Sequence, residues 1–323
     1  MSRYSRQMIL PEVGQSGQAK IASTHVLIVG AGGLGVPALQ YLVGAGIGSI
    51  TIVDPDAVAE HNLHRQPIYG AYVGKLKVEG ALEFAKTLNP NVQVTPIAQW
   101  LTPTNARVFV GQADIVLDCA DSFAVSYTLS DICLELGKPL ISASANGFSG
   151  YVGGFCAGAP SLRAVFPELP DNITSCDTAG VIGPVVGILG ALQAQMALSC
   201  VLKLTPSPLG QMVRINMQGF KTSSFRFDSA PEPEIASYTF IGVDEISELD
   251  EVIDLRSVSE APNSIVPNAQ RITLDDLSTK VLQPTMKKRI VLVCRTGVRA
   301  WRAAEALSKQ WYGDIKLIAV GNG

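Results

Sequence analysis

A glycine-rich segment near the N-terminus constrains the fold of this chain more than any other feature. Residues 29–35 read Val-Gly-Ala-Gly-Gly-Leu-Gly and follow a short apolar stretch that begins at His25. Glycines at this spacing permit a tight bend, a close approach of phosphate oxygens to the backbone, and close packing of the next helix on its strand. The helix start offers free amides and the positive end of a dipole. The candidate nucleotide-binding glycines are Gly30, Gly32, Gly33 and Gly35.

Apolar stretches of strand length alternate with helix-length segments from residue 25 to about residue 145. This alternation is typical of an α/β fold with a doubly wound, mostly parallel, Rossmann-like sheet. Glycine-rich strands and a long apolar helix follow, and Ser-Ala-Pro-Glu-Pro at residues 229–233 reads as a linker. We predict a nucleotide-binding domain over residues 1–228, a linker over 229–237, and a second, smaller α/β domain over 238–323.

Composition narrows the class of partner. The chain has 323 residues, 47% of them hydrophobic and 16% charged, and a formal net charge of -3. Because no long basic run occurs, nothing indicates nucleic acid or an anionic membrane. The first six residues lack the apolar core of a signal peptide, and none of the six cysteines forms a Cys-x-x-Cys pair, so we expect a cytoplasmic protein without disulfides. Residues 181–202 approach membrane-span length, but Gln193, Gln195 and Ser199 indicate a buried helix at a subunit interface.

Charged residues downstream of the glycine turn indicate chemistry on a phosphate. Asp54 ends the second strand, about twenty residues after the turn, where a carboxylate takes ribose hydroxyls. Arg65 and Lys77 follow, and Arg6 could arrive from the N-terminal segment of a partner subunit. Three cations suit a triphosphate. Taken alone, each of these residues has an ordinary alternative role. A surface Arg or Lys is usually solvated, and an Asp after a strand, such as Asp121, usually caps a helix. The placement of all of them at one edge of the sheet favours a phosphate site with Asp121 as a magnesium ligand.

These motifs resemble the ThiF/MoeB/HesA family, the bacterial relatives of ubiquitin-activating enzymes, over residues 3 to about 227. The matching segments are Arg3-Tyr4-Ser5-Arg6-Gln7, the glycine turn, Asp54-Pro55-Asp56, Asn62-Leu63-His64-Arg65-Gln66, Lys77-Val78-Glu79 and Asp118-Cys119-Ala120-Asp121. The resemblance implies a homodimer that binds ATP and Mg²⁺. It also implies adenylation of the C-terminal Gly-Gly carboxylate of a small ubiquitin-like sulfur carrier, in a pathway of the thiamine or molybdopterin type.

The resemblance also assigns roles to residues. Arg6, Arg65 and Lys77 would contact phosphates, Asn62 would orient them, Asp54 would hold the ribose and Asp121 the metal. The candidate nucleotide-contacting set further includes Asp56, Gln66 and Ser122. Ser122 stands where the family usually has Asn, and Ala120 replaces a common Thr, which leaves details of the metal and adenine ends open.

Two further family features concern sulfur and zinc. Cys176 lies in a segment that resembles the crossover loop, whose cysteine joins a carrier or sulfur donor covalently; a thiol just before a helix is favoured as thiolate. The alternative is an unreactive loop cysteine. The family's two zinc-binding Cys-x-x-Cys pairs correspond here to residues 161–164 and 230–233, which contain no cysteine. We therefore expect no zinc site, and stability from packing or from the dimer instead.

The C-terminal unit contains a second candidate site. Cys294-Arg295-Thr296-Gly297-Val298-Arg299 follows an apolar strand and opens a helix, so its amides and Arg299 would stabilise a thiolate or a persulfide anion. The loop resembles the active loop of rhodanese-like domains over about residues 238–323. The family's His-x-Pro-Gly stretch is only partly matched at residues 264–268, and the chain ends where a last helix would follow. The resemblance implies a persulfide on Cys294, loaded by a persulfide donor.

Together the two units predict a carrier-protein adenylyltransferase with a sulfurtransferase module, because a persulfide is a nucleophile able to displace AMP from an activated carboxyl group. Fusion of the units raises the effective concentration of donor near acceptor. One alternative is an NAD-dependent oxidoreductase, which explains the glycine turn but not Arg6, Arg65 and Lys77 together. Another is an inactive scaffold that binds the carrier, with a rhodanese-like unit that is structural or regulatory.

Overall fold

The computed structural model describes residues 3–169, 180–233, 238–274, 276 and 288–321. The chain forms two compact units. The first comprises Met1–Leu101, Asn105–Asp121 and Leu129–Glu232, and the second comprises Thr102–Thr104, Ser122–Thr128 and Pro233–Gly323. The domain boundaries given above stay a prediction at the level of single residues.

The first unit is built on an eight-stranded sheet. Its strands are β1 (His25–Val29), β2 (Ser49–Val53), β3 (Gln93–Ile97), β4 (Ile115–Asp118), β5 (Leu140–Asn146), β6 (Ser149–Phe155), β7 (Gln211–Asn216) and β8 (Lys221–Arg226). They lie in the order β3-β2-β1-β4-β5-β6-β7-β8. The pairs from β3 to β5 are parallel and those from β5 to β8 are antiparallel. The prediction of a mostly parallel, doubly wound sheet is confirmed.

Helices connect and cover these strands. They are α1 (Ser5–Met8), α2 (Gly14–Ser23), α3 (Gly35–Ala45), α4 (Lys77–Leu88), α5 (Pro103–Gln112), α6 (Phe123–Leu136), α7 (Leu162–Val165) and α8 (Gly183–Leu202). The N-terminal segment before β1 thus contains two helices, α1 and α2, with a turn between them. α3 packs closely on α8 because Gly190 has no side chain; a Cβ there would lie 2.3 Å from the carbonyl oxygen of Leu34.

α8 is long and apolar enough to cross a membrane by length and composition alone. In the structure it packs against α3 and strands β5 and β6 of the sheet. Its fully buried Gln193 donates hydrogen bonds to the carbonyl oxygens of Asp118 (2.7 Å) and Ile141 (3.1 Å). This is the packing of a core helix, as its glutamines indicate. A role at a subunit interface stays a prediction.

The second unit is built on a five-stranded parallel sheet. Its strands are β9 (Thr239–Phe240), β10 (Glu251–Asp254), β11 (Gln270–Arg271), β12 (Ile290–Cys294) and β13 (Ile315–Ala319), in the order β11-β10-β12-β13-β9. Helix α9 (Val298–Ser308) follows β12 directly. β12 is buried at every residue and ends at Cys294, at the carboxyl edge of the sheet. A second, smaller α/β domain is confirmed.

Candidate functional site

The glycine turn joins β1 to α3 at the carboxyl edge of the parallel strands. Gly30 adopts φ 98°, and its amide donates to the carbonyl oxygen of Val53 on β2 (2.8 Å). A Cβ on Gly35 would lie 1.9 Å from the carbonyl oxygen of Gly30, so no other residue fits the helix start. A Cβ on Gly32 would meet only the Nε2 atom of Gln66, at 3.7 Å. The turn is therefore tightly closed behind Gly30 and open beside Gly32, as an approaching phosphate requires.

Asp54 ties the end of β2 to this turn. Its carboxylate accepts hydrogen bonds from the amides of Ala31 (2.7 Å) and Asp56 (2.9 Å). Burial raises the pKa of Asp54, while Lys77 and the two backbone hydrogen bonds oppose that effect. Each carboxylate oxygen has already accepted one amide, and each retains a lone pair for a further donor. A role in holding a ribose stays a prediction.

Lys77 begins α4 and brings a buried cation beside Asp54. Its side chain is 6% exposed, and its Nζ atom lies 2.7 Å from Asp56 and 3.7 Å from Asp54. The two carboxylates compensate the desolvation of this buried ammonium. It carries three donors, so a phosphate oxygen can share it. Lys77 thus lies beside the Asp54 carboxylate, which in turn binds the glycine turn at the Ala31 amide.

Arg65 lies against the same turn. A Cβ on Gly33 would lie 3.5 Å from the Cδ atom of Arg65. Asn62 accepts from the Arg65 Nη2 atom (3.0 Å), and His64 contacts Nη1 (2.9 Å). Asn62 is buried and Arg65 is half-buried, so the amide fixes the direction of the guanidinium. Asn62 therefore orients Arg65, and its predicted role of orienting phosphates stays a prediction.

Gln66 and Tyr69 complete the wall of the turn. Gln66 is 2% exposed, and its Oε1 atom has no hydrogen-bond partner within the part of the chain that is described. Because native proteins rarely leave such an atom unpaired, it suits a donor from a bound molecule or water. Sequence reasoning missed Tyr69, whose fully buried hydroxyl donates to the carbonyl oxygen of Ala31 (3.0 Å). No spacing signal links a tyrosine in a loop to a turn 38 residues earlier.

The Asp118–Asp121 corner lies beside the glycine turn, since a Cβ on Gly30 would lie 2.6 Å from the carbonyl oxygen of Cys119. Asp118 is fully buried and accepts from the Ser142 hydroxyl (2.7 Å), so its role is structural. Asp121 is exposed, as a metal ligand at a cleft would be. Ser122 follows it directly. No cluster of three metal-binding side chains occurs among residues with described positions. A magnesium-binding role for Asp121 stays a prediction.

Arg6 does not join this group within its own chain. The side-chain amide of its neighbour Gln7 donates to the carbonyl oxygen of Ala45 (2.9 Å), at the C-terminus of α3. The glycine turn lies at the N-terminus of the same helix, which spans about 16 Å. Arg6 is exposed there. Only the route through a partner subunit remains for Arg6, and it stays a prediction.

The segments that correspond to the zinc-binding pairs contact each other through oxygen and nitrogen atoms. The amide and hydroxyl of Ser161 each donate to the carboxylate of Glu232 (2.6 Å each). Next to them the 3%-exposed Arg163 forms a bidentate ion pair with Asp131 (2.5 and 2.8 Å). These groups offer no thiolate for zinc. Cys176, the candidate crossover-loop cysteine, lies outside the described residues.

The Cys294 loop forms the amide cradle that the sequence predicts. The Cys294 Sγ atom accepts from the amides of Gly297 (3.1 Å) and Ala300 (3.3 Å), at the start of α9. Gly297 adopts φ 87°, which lets the loop turn its amides inward. The thiol is fully buried, however, and burial raises its pKa more than these amides and Arg299 lower it. The loop therefore has the predicted arrangement of amides around the sulfur. The thiolate is nevertheless not favoured, because desolvation raises the pKa of Cys294.

Glu260, which sequence reasoning missed, pairs with both cations of the loop. The Glu260 carboxylate pairs with both Nη atoms of Arg299 and lies 3.2 Å from the Arg295 Nε atom. Arg299 also donates to the carbonyl oxygen of Leu255 (3.0 Å). Its charge is thus neutralised by a carboxylate 39 residues earlier, a pairing that no local pattern reveals. Thr296 is exposed and Val298 half-buried in the same loop.

The fold and the site geometry define an α/β unit with a glycine turn between its first strand and helix, and a second, parallel α/β unit with a cysteine loop. Residues 4–236 match the ThiF family, and residues 243–321 match the Rhodanese-like domain. The chain belongs to the ThiF family and carries a C-terminal rhodanese-like domain, as its motifs predicted.

Curated relatives share this pairing in their names. The adenylyltransferase and sulfurtransferase uba4 of Pyricularia oryzae is 44% identical over 229 residues, which cover 66% of this chain and 47% of that protein. UBA4 of Yarrowia lipolytica is 48% identical over 200 residues (61% and 50%), and MOCS3 of Bos taurus is 44% identical over 215 residues (65% and 47%). The chain spans about half the length of these relatives.

Solved structures agree on the fold. A crystal structure of E. coli MccB with MccA-N7isoASN superposes with a TM-score of 0.65 at 24% identity, covering 73% of this chain and 75% of that chain. E. coli MccB with ATP gives 0.64 at 23% identity, covering 73% of each. At this level of identity the likeness shows the fold alone.

Proposed function

We propose that this protein uses ATP to adenylate the C-terminal Gly-Gly carboxylate of a ubiquitin-like sulfur carrier, and that its rhodanese-like unit delivers sulfur to that carrier. One observation carries the proposal: two cations, Arg65 and Lys77, lie beside the glycine turn. Asn62 orients Arg65 against Gly33 of the turn. Lys77 lies 3.7 Å from Asp54, whose carboxylate accepts from the Ala31 amide. The names of the uba4 and MOCS3 relatives support it. An oxidoreductase needs neither cation.

In the first step a carboxylate oxygen of the carrier attacks the α-phosphorus of ATP. The bond from that phosphorus to the bridging oxygen breaks, and pyrophosphate leaves. Lys77 and Arg65 neutralise charge that develops on the phosphate oxygens, which lowers the barrier more in a site shielded from water. Asp54 keeps the glycine turn closed on β2 through Ala31. Asp121 is the proposed magnesium ligand, and Arg6 of the partner subunit a proposed third cation in a homodimer.

In the second step the terminal sulfur of a Cys294 persulfide attacks the acyl carbon, and AMP leaves with the bonding electron pair. A second thiol then cleaves the sulfur–sulfur bond, forms a disulfide with Cys294 and releases the thiocarboxylate. Cys176 is the candidate for that thiol. The Gly297 and Ala300 amides hold the Cys294 sulfur in place for the attack.

ATP-pyrophosphate exchange against a panel of carriers with Gly-Gly tails tests the first step. Lys77→Ala should reduce exchange by at least about a hundredfold, because it removes a buried cation from the developing charge. Lys86→Ala is the matched control: it removes a lysine from the same helix, and its exposed side chain pairs only with Glu83 among the described groups.

Wild-type exchange with at least one carrier, unchanged in Lys86→Ala, supports the proposal. If no carrier of the panel stimulates exchange although one binds, the protein is a scaffold. If Lys77→Ala exchanges at the wild-type rate, the assignment of the site is wrong.

A further inference from the structure

The terminal guanidinium nitrogens of Arg271 are buried and have no hydrogen-bond partner among the described residues. Both Nη1 and Nη2 are shielded from solvent, and neither donates to a protein group in the described ranges of the chain. A buried cation with unused donors is costly, and native proteins resolve this with a carboxylate, a water or a ligand. Arg271 belongs to β11, at the end of the parallel sheet of the second unit.

The strand register places Arg271 at the edge where the Cys294 loop begins. Arg271 pairs with Asp254 on β10, and Asp254 pairs with Val293 on β12. Neighbouring strands lie about 4.8 Å apart, so the backbones of Arg271 and Val293 are about 10 Å apart. Cys294 is the next residue of β12. Because all these strands are parallel, the side chains at their carboxyl ends share one edge of the sheet.

The nearest acid in this row does not satisfy Arg271. Asp254 is fully buried, and its two oxygens accept from the Nε (2.9 Å) and Nη2 (2.8 Å) atoms of Arg256. The Asp254 carboxylate is thus already engaged in a bidentate pair. The charge of Arg271 attracts the Asp254 carboxylate electrostatically, without a described hydrogen bond between the two.

The same edge has more cations than carboxylates. Glu260 is shared by two arginines of the Cys294 loop, and Asp254 by Arg256 and the more distant Arg271. The four cations are Arg256, Arg271, Arg295 and Arg299. Among these described side chains, two carboxylates therefore accompany four guanidinium groups, and both terminal nitrogens of Arg271 lack a described hydrogen-bond partner.

We propose that Arg271 is the anchor of an oxyanion site at the carboxyl edge of the rhodanese-like unit, beside the Cys294 loop. A guanidinium presents two parallel N–H donors that match a carboxylate, phosphate or sulfonate group. The C-terminal carboxylate of a carrier protein is such a group, and a small sulfur donor can carry one. Because the site is detected by anion binding, its failure leaves the proposed adenylation untouched.

Isothermal titration of the full-length chain tests the site with three probes, inorganic sulfate, inorganic phosphate and N-acetyl-glycylglycine. The wild-type chain should bind at least one of them saturably, and Arg271→Gln should weaken that binding about tenfold or more, because it removes a charged, two-point contact. Preference for the dipeptide indicates a carrier tail, and preference for sulfate or phosphate a small donor. Lys309→Gln, an exposed residue that follows α9, is the control for loss of one charge and should bind as the wild type does.

Arg271→Lys guards against a folding artefact. Arg271→Lys keeps the charge but lacks the two parallel N–H donors of the guanidinium. It should therefore bind the anion with an affinity between those of the wild type and Arg271→Gln, and it should unfold at the wild-type temperature. Equal affinity of wild type, Arg271→Gln and Arg271→Lys for every probe, or no saturable binding by the wild type, overturns the proposal and leaves water as the partner of Arg271.

Discussion

At Cys294 two effects of opposite sign act on one thiol. Burial raises its pKa, while the amides of Ala300 and Gly297 and the charge of Arg299 lower it, and burial prevails. Glu260 weakens the contribution of Arg299 because it pairs with that guanidinium. At neutral pH the group is therefore a protonated thiol, and its thiolate is populated only above the usual range for cysteine.

Glu260→Gln should lower the pKa of Cys294, because the variant removes the charge that neutralises Arg295 and Arg299. The measurement is the rate of Cys294 modification by iodoacetamide between pH 6 and pH 11, read on the Cys294 peptide by mass spectrometry. The midpoint should shift to lower pH. Glu248→Gln, an exposed residue of the same unit, should leave it unchanged. An unshifted midpoint in Glu260→Gln would show that the two arginines do not act on the thiol.

Residue roles could be predicted where the chemistry is local in sequence. The Cys294 cradle follows from a strand, a glycine and a helix start within seven residues, and the structure shows it. Glu260 and Tyr69 could not be found, since their partners lie 39 and 38 residues away and neither carries a periodic or motif signal. Burial of the thiol, which reverses the sign of its pKa shift, depends on packing that sequence pattern does not quantify.

At the scale of elements, the β1–α3 turn depends on the absence of a side chain. Gly35→Ala should destabilise the protein by about 1–3 kcal/mol and weaken ATP binding, because the new methyl group would overlap the Gly30 carbonyl oxygen, 1.9 Å away. Gly44→Ala in the same helix meets nothing within 4 Å and should stabilise by about 0.5–1 kcal/mol. Denaturant unfolding and ATP titration measure both. Wild-type ATP affinity in Gly35→Ala would contradict the role given to the turn.

The contact between residues 161 and 232 gives a second prediction at this scale. Glu232→Ala should lower the free energy of unfolding by about 1 kcal/mol, because the amide and hydroxyl of Ser161 lose their acceptor. The exposed Glu168→Ala should not. Dialysis against EDTA should leave the thermal midpoint of the wild type unchanged, as expected for segments without thiolates. A fall in the midpoint after EDTA would reveal a structural metal.

Elements were the most predictable level. Strands of four or more residues such as β1, β4 and β12 were found because each is a continuous buried apolar run between turn residues. Element boundaries depend on details that sequence pattern does not show. Helix α9 begins at Val298, directly after Gly297, which takes a left-handed conformation. Strand β10 ends at Asp254, whose carboxylate pairs with Arg256 two residues later.

At the scale of the whole molecule, the proposal divides labour between the two units. The phosphate-binding cations belong to the first, and the sulfur-carrying thiol to the second. Sequence motifs indicated both units and their order. Motifs do not reveal whether Arg6 of the partner subunit reaches the nucleotide, since that depends on an assembly and not on one chain.

Cys294→Ala tests the division of labour most directly. The variant is assayed beside the wild type for carrier-dependent ATP-pyrophosphate exchange, and for formation of the carrier thiocarboxylate by intact mass in the presence of a persulfide donor. We expect exchange within about twofold of the wild-type rate, since Cys294 touches no phosphate in the proposed chemistry, and no detectable thiocarboxylate. Loss of exchange together with sulfur loading would contradict the account, as would full sulfur loading without the Cys294 thiol.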